Sequence, residues 1–167
     1  EIFYTNCTTL CRGIQYACCI VKRFLGGIGI YTWLSGKLDE EFREIRVLKK
    51  SGRGTVSLLA HRATGKRFVL RRFTGNAEVY HQLLCYTCRH LPQVYEVASR
   101  GEENLELEEF IEGDTVGALL RGALFTAEET RKIVTQVCQA LWVLHSLAAV
   151  HRDVKPENII LRGDEAV

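Results

Sequence analysis

The apolar residues of this chain change period once, and that switch most constrains its fold. Up to about residue 111 they come in short runs bounded by turn residues; beyond Thr126 they recur every three or four positions. Thr55 to Ala60 and Arg67 to Phe73 are rich in Val, Leu and Phe, and His61-Arg-Ala-Thr-Gly65 between them reads as a turn, so the pair predicts a β-hairpin. Phe42 to Leu48 reads as an irregular strand ahead of it. Gln93 to Ala98 and Leu105 to Ile111 are again strand-like, with a polar turn at Ser99 to Asn104. Between the two strand pairs, Val79/Leu83 and Tyr80/Leu84 stand at helical spacing, which predicts a short helix over Ala77 to Tyr86 capped by Asn76. Thr126-Ala-Glu-Glu129 is a capping box, in which hydroxyl and carboxylate each satisfy an orphan amide of the other residue. It opens a long helix whose Ile133, Val134, Val137, Cys138, Leu141 and Leu144 predict one broad apolar face. A strand-rich half followed by a helical half is an α+β arrangement.

Composition narrows the function. With 47% hydrophobic and 25% charged among 167 residues, the chain is neither disordered nor a disulfide miniprotein. Its 22 basic and 20 acidic side chains leave a net charge of +2, which gives no electrostatic case for a nucleic-acid binder. Charge is nevertheless segregated: eight basic and no acidic side chains lie from Lys49 to Arg72, and ten acids with two arginines from Glu96 to Glu129. A basic hairpin facing an acidic segment suits a cleft for polyphosphate, and two solvated faces of opposite bias account for the pattern equally well. The seven cysteines crowd the first nineteen residues or lie far apart. Cys85-x-x-Cys88 with His90 nearby has no second pair to complete a zinc site, so buried reduced thiols are expected. Asn6-Cys7-Thr8 fits a glycosylation pattern that no other feature supports. The lack of methionine, with the apolar-leaning end at Val167, leads us to expect a fragment of a longer reading frame.

Residues 1–37 read as an extension of no catalytic role. Their apolar stretches, Ile14 to Ile20 and Phe24 to Leu34, are split by Lys22-Arg23 and fall short of the roughly 20 residues a bilayer span needs. A membrane-associated segment or a targeting signal are the alternatives, neither of them supported by a clear signature.

Chemistry concentrates in His151-Arg152-Asp153-Val154-Lys155-Pro156-Glu157-Asn158-Ile159-Ile160-Leu161, a loop between the long helix and a short apolar run. It offers a carboxylate, an ammonium two residues on and a carboxamide five residues on. Phosphoryl transfer asks for such a set: an acceptor for the nucleophile's proton, a cation for phosphate charge and an oxygen for a hard divalent metal.

This stretch resembles the catalytic loop of protein kinases, and the lysine two places after the aspartate resembles the serine/threonine branch. The resemblance runs from Phe42 to Val167. It implies an antiparallel β-sheet N-lobe with one helix (residues 38–108), then a hinge and the start of a helical C-lobe (109–167), with residues 1–37 outside. It implies that Asp153 orients and deprotonates a substrate hydroxyl, that Lys155 neutralises the γ-phosphate and that Asn158 ligates Mg2+. His151 and Arg152 would be structural, Arg152 able to pair with a phosphorylated activation loop, and Ile160 would pack beneath the adenine of ATP. Gly54-Thr55-Val56 resembles the last glycine and the valine of the phosphate-covering loop. Lys49 and Ser51 replace its earlier glycines, so Lys49, Lys50 and Arg53 would supply charge instead. Val69 falls at an adenine contact and Arg71 where the phosphate-binding lysine is expected, an exchange that is not conservative. Glu78, the only carboxylate between Arg71 and Glu96, is the candidate for the helix glutamate that pairs with it. Leu105 to Thr115 resembles the hinge, which implies backbone contacts to adenine from Glu109 to Ile111 and a ribose contact from Asp114. The family's second magnesium ligand follows the turn Arg162-Gly163-Asp164, and Asp164 stands too early to replace it. The fragment is therefore expected to be inactive alone. The activity implied is transfer of the ATP γ-phosphate to a protein serine or threonine, in the cytoplasm. The alternatives are a pseudokinase acting as a nucleotide-binding or scaffold module, and a small-molecule phosphotransferase, disfavoured by Arg152 and Lys155. Short loops and a compressed helix region are similar to bacterial members.

Overall fold

The computed structural model describes residues 27–167. Expectations for Asn6, for the four N-terminal cysteines and for the apolar stretch Ile14 to Ile20 fall outside it. The described chain begins with helix α1, Gly27–Glu41, and runs directly into strand β1, Phe42–Ser51. Leu34 and Leu38, one helical turn apart, and Phe42 at the strand's start are buried together. They pack on Leu59, Phe68, Leu70, Ala98, Leu105 and Leu107, with Tyr31, Trp33 and Tyr95 at the margin. The boundary expected between residues 37 and 38 thus falls inside a helix, and that helix covers one face of the sheet. The split-stretch reading missed this because a single turn of leucines carries the contact.

The sheet holds β1, β2 (Gly54–His61), β3 (Arg67–Thr74), β5 (Glu103–Glu109) and β4 (Val94–Arg100), in that spatial order and antiparallel throughout. Two register shifts, between Glu44 and Arg46 and between Val47 and Lys49, explain why β1 read as irregular. Alternation sends Phe68 and Leu70 of β3 toward α1 and Val69 and Arg71 to the opposite face. On β5, Leu105 and Leu107 face α1, so Glu106 and Glu108 face the same side as Arg71. Helix α2, Glu78–Leu83, lies on that second side, where Tyr80, Leu83 and Leu84 close over Ala77, Val94 and Val97. It is shorter than expected. Asn76 still serves its start, its Oδ1 accepting the Glu78 N–H at 2.7 Å, one residue ahead of the N-cap Ala77.

After β5 the chain forms β6 (Asp114–Thr115), the single turn of α3 (Val116–Leu119), and α4 (Ala127–Ser146). The capping box forms as expected: Thr126 Oγ1 accepts the Glu129 N–H at 3.2 Å, and Glu129 Oε2 accepts the Thr126 N–H at 2.8 Å. Burial on α4 is narrower than the sequence pattern implies. Only Ala140 and Leu144 are buried, Ile133, Val137 and Leu141 are half-buried, and Val134 and Cys138 are exposed. A 3-10 turn, Pro156–Asn158, leads to β7 (Ile160–Arg162) and β8 (Glu165–Ala166), which join β6 in a small sheet ordered β6-β7-β8. No helix among the described residues is long and apolar enough to cross a membrane.

Candidate functional site

The loop after α4 is held by its own polar groups. Asn158 Nδ2 donates to the Asp153 backbone carbonyl at 2.8 Å and to Asp153 Oδ2 at 2.9 Å. Lys155 Nζ lies 3.1 Å from Asp153 Oδ1. Pro156 at the start of the 3-10 turn pre-sets the backbone, and the Asn158 N–H returns to the Lys155 carbonyl at 2.9 Å. Arg152 has φ 65°, a left-handed conformation that costs on the order of 1–3 kcal/mol for a residue with a side chain. Asp153 is exposed, and the Lys155 ammonium, then the Asn158 amide, hold its carboxyl below the ordinary aspartate range; Lys49 adds a smaller pull. Because Asn158 spends its N–H2 group on Asp153, its carbonyl oxygen is left as the atom suited to a hard divalent cation.

The small sheet brings the segment after β5 beside the strand that follows the loop. Asp114 pairs with Leu161 and Thr115 with Ile160 in register. Gly113 permits this approach, since a Cβ there would stand 2.1 Å from the Leu161 carbonyl oxygen. Glu109 is tied at both ends: Oε1 accepts from Arg162 Nη1 at 2.9 Å and its N–H donates to the Gln93 carbonyl at 2.8 Å. Ile111 is buried, Asp114 is exposed and Ile160 is half-buried.

Across the sheet, Val56 pairs with Arg71 and Leu58 with Val69, so Val56, Val69 and Arg71 share a face. Gly54, at the start of β2, is required by the sheet itself: a Cβ there would lie 2.0 Å from the Arg72 carbonyl oxygen. Its small size serves the neighbouring strand β3, which leaves Lys49 and Lys50 at the end of β1 and Arg53 in the turn as the basic groups beside it.

The pairing of Arg71 differs from expectation. Its Nε and Nη2 reach a single oxygen of Glu108, at 3.0 and 2.6 Å, and Nε lies 3.3 Å from Glu106. Glu78 does not join them; its carboxylate accepts from Gln82 one turn along α2 at 3.3 Å. Glu78 is the only carboxylate between Arg71 and Glu96, but nearness in sequence does not bring it to Arg71. Glu106 and Glu108 alternate with Leu105 and Leu107, a pattern that by itself gives no sign that the glutamates meet an arginine. The signal was the neighbouring basic residue on β3, legible only once the β3–β5 register is known. Glu106 is fully buried, and burial, followed by the Glu108 charge, pushes its carboxyl up to about 9. Burial lowers the Arg71 pKa, but Glu108 outweighs it and holds the guanidinium above its usual value.

Cys85 and Cys88 are free thiols, exposed and half-buried respectively rather than enclosed as expected. His90 donates from Nδ1 to the Ala166 carbonyl at 2.8 Å. A cavity of about 520 Å³ between the α2–β4 connection and α4, lined by Cys88, His90, Cys138 and Trp142 among others, includes none of the site residues above.

Residues 42–167 match the protein kinase domain. Serine/threonine-protein kinase D of Synechocystis is 28% identical over 106 residues, covering 64% of this chain and 20% of its own length. PknA of Nostoc is 27% identical over 145 residues (75% and 26%), and Pkn1 of Myxococcus xanthus 29% over 134 residues (72% and 19%). The chain thus spans between 19% and 26% of these three relatives. Two solved structures share the fold. Rad53 1-466 in complex with AMP-PNP superposes with a TM-score of 0.64 at 21% identity, over 84% of this chain and 40% of that one. The autoinhibited serine kinase domain of titin gives 0.62 at 24% identity, over 78% and 44%. With its five-stranded sheet, its β6 strand paired to β7 and its Asp153 loop, the chain belongs to the protein kinase domain family.

Proposed function

We infer that this chain is the nucleotide-binding and catalytic-loop portion of a serine/threonine protein kinase, which transfers the ATP γ-phosphate to a hydroxyl of a protein substrate. The observation that carries the reading is the Asp153–Lys155–Asn158 cluster, an exposed carboxylate kept ionised and aimed by an ammonium and a carboxamide. In this reading Asp153 accepts the proton of the substrate hydroxyl as its oxygen attacks phosphorus. Lys155 offsets charge on the transferred group. Asn158 would hold Mg2+ through its free carbonyl oxygen; when bound, that ion neutralises phosphate charge. Val56, Val69 and Ile160 would form the apolar walls around adenine, with backbone groups of Glu109 to Ile111 along its edge and Asp114 near the ribose. Arg71, with Lys49, Lys50 and Arg53, would meet the phosphates, behind the turn closed by Gly54. The site of action would be cytoplasmic, where ATP is supplied.

The test uses the complete reading frame, purified and incubated with labelled ATP, magnesium and substrate proteins beside Asp153→Asn. Loss of the base should lower transfer about 10²- to 10⁴-fold, with ATP affinity little changed. Transfer surviving in Asp153→Asn would remove Asp153 from the role. One observation favours a second reading, a nucleotide-binding pseudokinase: Arg71 stands in place of lysine and is already engaged by two carboxylates. Nucleotide binding without transfer by wild type would decide for it.

A further inference from the structure

We propose that the β5 glutamates Glu108 and Glu106, rather than Glu78 of α2, are the positioning residues that station Arg71 for a nucleotide phosphate. The inference rests on the nucleotide-binding reading above and deepens it. Arg71 stands directly opposite Glu106 in the β3–β5 ladder, and Glu108 lies two residues further along the same face. Both contacts are therefore set by strand register, not by the placement of a helix. Glu108 receives two N–H groups of the guanidinium on one oxygen, which fixes the plane of the fork as well as its position. The Arg71 side chain remains 37% exposed, and none of its hydrogen bonds or ion pairs among the described residues uses Nη1, so that nitrogen is the one left for an anion.

Charge balance gives Glu106 a part. Two ionised carboxylates against one guanidinium would leave a net negative charge beside the phosphate subsite. Glu106 is 0% exposed, and neither of its oxygens has a hydrogen-bond partner among the described residues when it is drawn as a carboxylate. As a carboxylic acid it donates to Glu108 and leaves the trio neutral, in keeping with the direction in which burial moves it. The buried acid braces Glu108, and Glu108 braces Arg71. Tyr80 of α2 is the further titratable group beside Arg71, and its hydroxyl is held in the neutral form chiefly by burial.

The experiment measures the Kd of the complete protein for Mg·ATP. Glu108→Gln is expected to weaken binding about tenfold or more, the scale of a charged hydrogen bond lost from its partner. Glu78→Gln should cost less. In an Arg71→Ala background, Glu108→Gln should cost nothing further, because Glu108 acts only through Arg71. Circular dichroism checks that each variant is folded. Should Glu108→Gln not fold, Glu108→Asp keeps the charge but withdraws it, and should weaken Mg·ATP binding in the Arg71 protein and not in Arg71→Ala. A larger loss from Glu78→Gln than from Glu108→Gln overturns the proposal, as do additive losses from Arg71 and Glu108 or an unchanged Kd in Glu108→Asp. Wild type that fails to bind Mg·ATP removes this inference and the nucleotide reading together. Asp153→Asn that still transfers phosphate removes only the catalytic assignment.

Discussion

Two side chains carry the residue-scale predictions. Asp153 has its carboxyl held below the usual range by Lys155 and then Asn158. A depressed pKa keeps this carboxylate ionised to lower pH, and the ionised form is lost as pH falls through the depressed value. In the complete protein the acid limb of the transfer rate should therefore lie below the ordinary aspartate pKa of about 3.9 wherever the fold survives. Lys155→Met removes the largest cause and should move that limb upward, which a pH–rate profile reads directly; an unmoved limb means another group governs it. Arg71 is the second. Lysine cannot place two N–H groups in a fixed plane on one Glu108 oxygen, so Arg71→Lys should weaken Mg·ATP binding by roughly three- to tenfold in an equilibrium titration. Equal affinity would mean that the charge alone suffices. The roles of these two residues were unequally legible. The Asp153 loop is local, eleven successive residues whose order states their chemistry, whereas the partner of Arg71 lies 37 positions away, across a strand pairing.

At the scale of elements, local signals and tertiary signals separate cleanly. The Thr126–Glu129 box is self-contained within four residues, so it is both predicted and formed. Thr126→Ala should cost about 1 kcal/mol, seen as a lower urea midpoint with an unchanged slope. Helix α1 is the opposite case. Its sequence alone reads as a loose apolar extension, yet Leu34 and Leu38 are 4% and 3% exposed because the sheet offers them a matching apolar face. Leu38→Ala should lower stability by about 2–5 kcal/mol, a cost expected of a core position and not of a dispensable tail. A change under half a kcal/mol in chemical denaturation would put α1 outside the folding unit.

At the largest scale, one buried histidine ties the end of the described chain back to the segment before β4, and α4 holds the same end from the other side. His90, buried in the connection before β4, donates to the Ala166 carbonyl at 2.8 Å, and the Ala166 N–H donates to Gln136 of α4 at 2.8 Å. Lys132 of α4 pairs with Asp164 in the β7–β8 turn. One short strand is thus pinned from the sheet side and from the helix side together. His90→Ala leaves a buried carbonyl without its donor and should destabilise by about 1–3 kcal/mol in thermal or urea unfolding. An effect within 0.5 kcal/mol would mean that the pairing with β7 and the Gln136 contact hold β8 in place without His90.

Local sequence suffices for the strands between Phe42 and Ile111, the long capped helix and the loop that holds Asp153, Lys155 and Asn158. These follow from periodicity, from capping chemistry and from groups a few residues apart, all of which act through the local chain. Tertiary structure decided the rest. Whether a glutamate on an alternating strand meets water or an arginine depends on which strand lies beside it and in what register, and the leucines in β5 say nothing of that. Whether an apolar helix is a tail or a wall of the core depends on the face presented to it. Long-range pairing is fixed by burying those faces together. That is why Glu106, Glu108 and α1 emerged only from the folded chain.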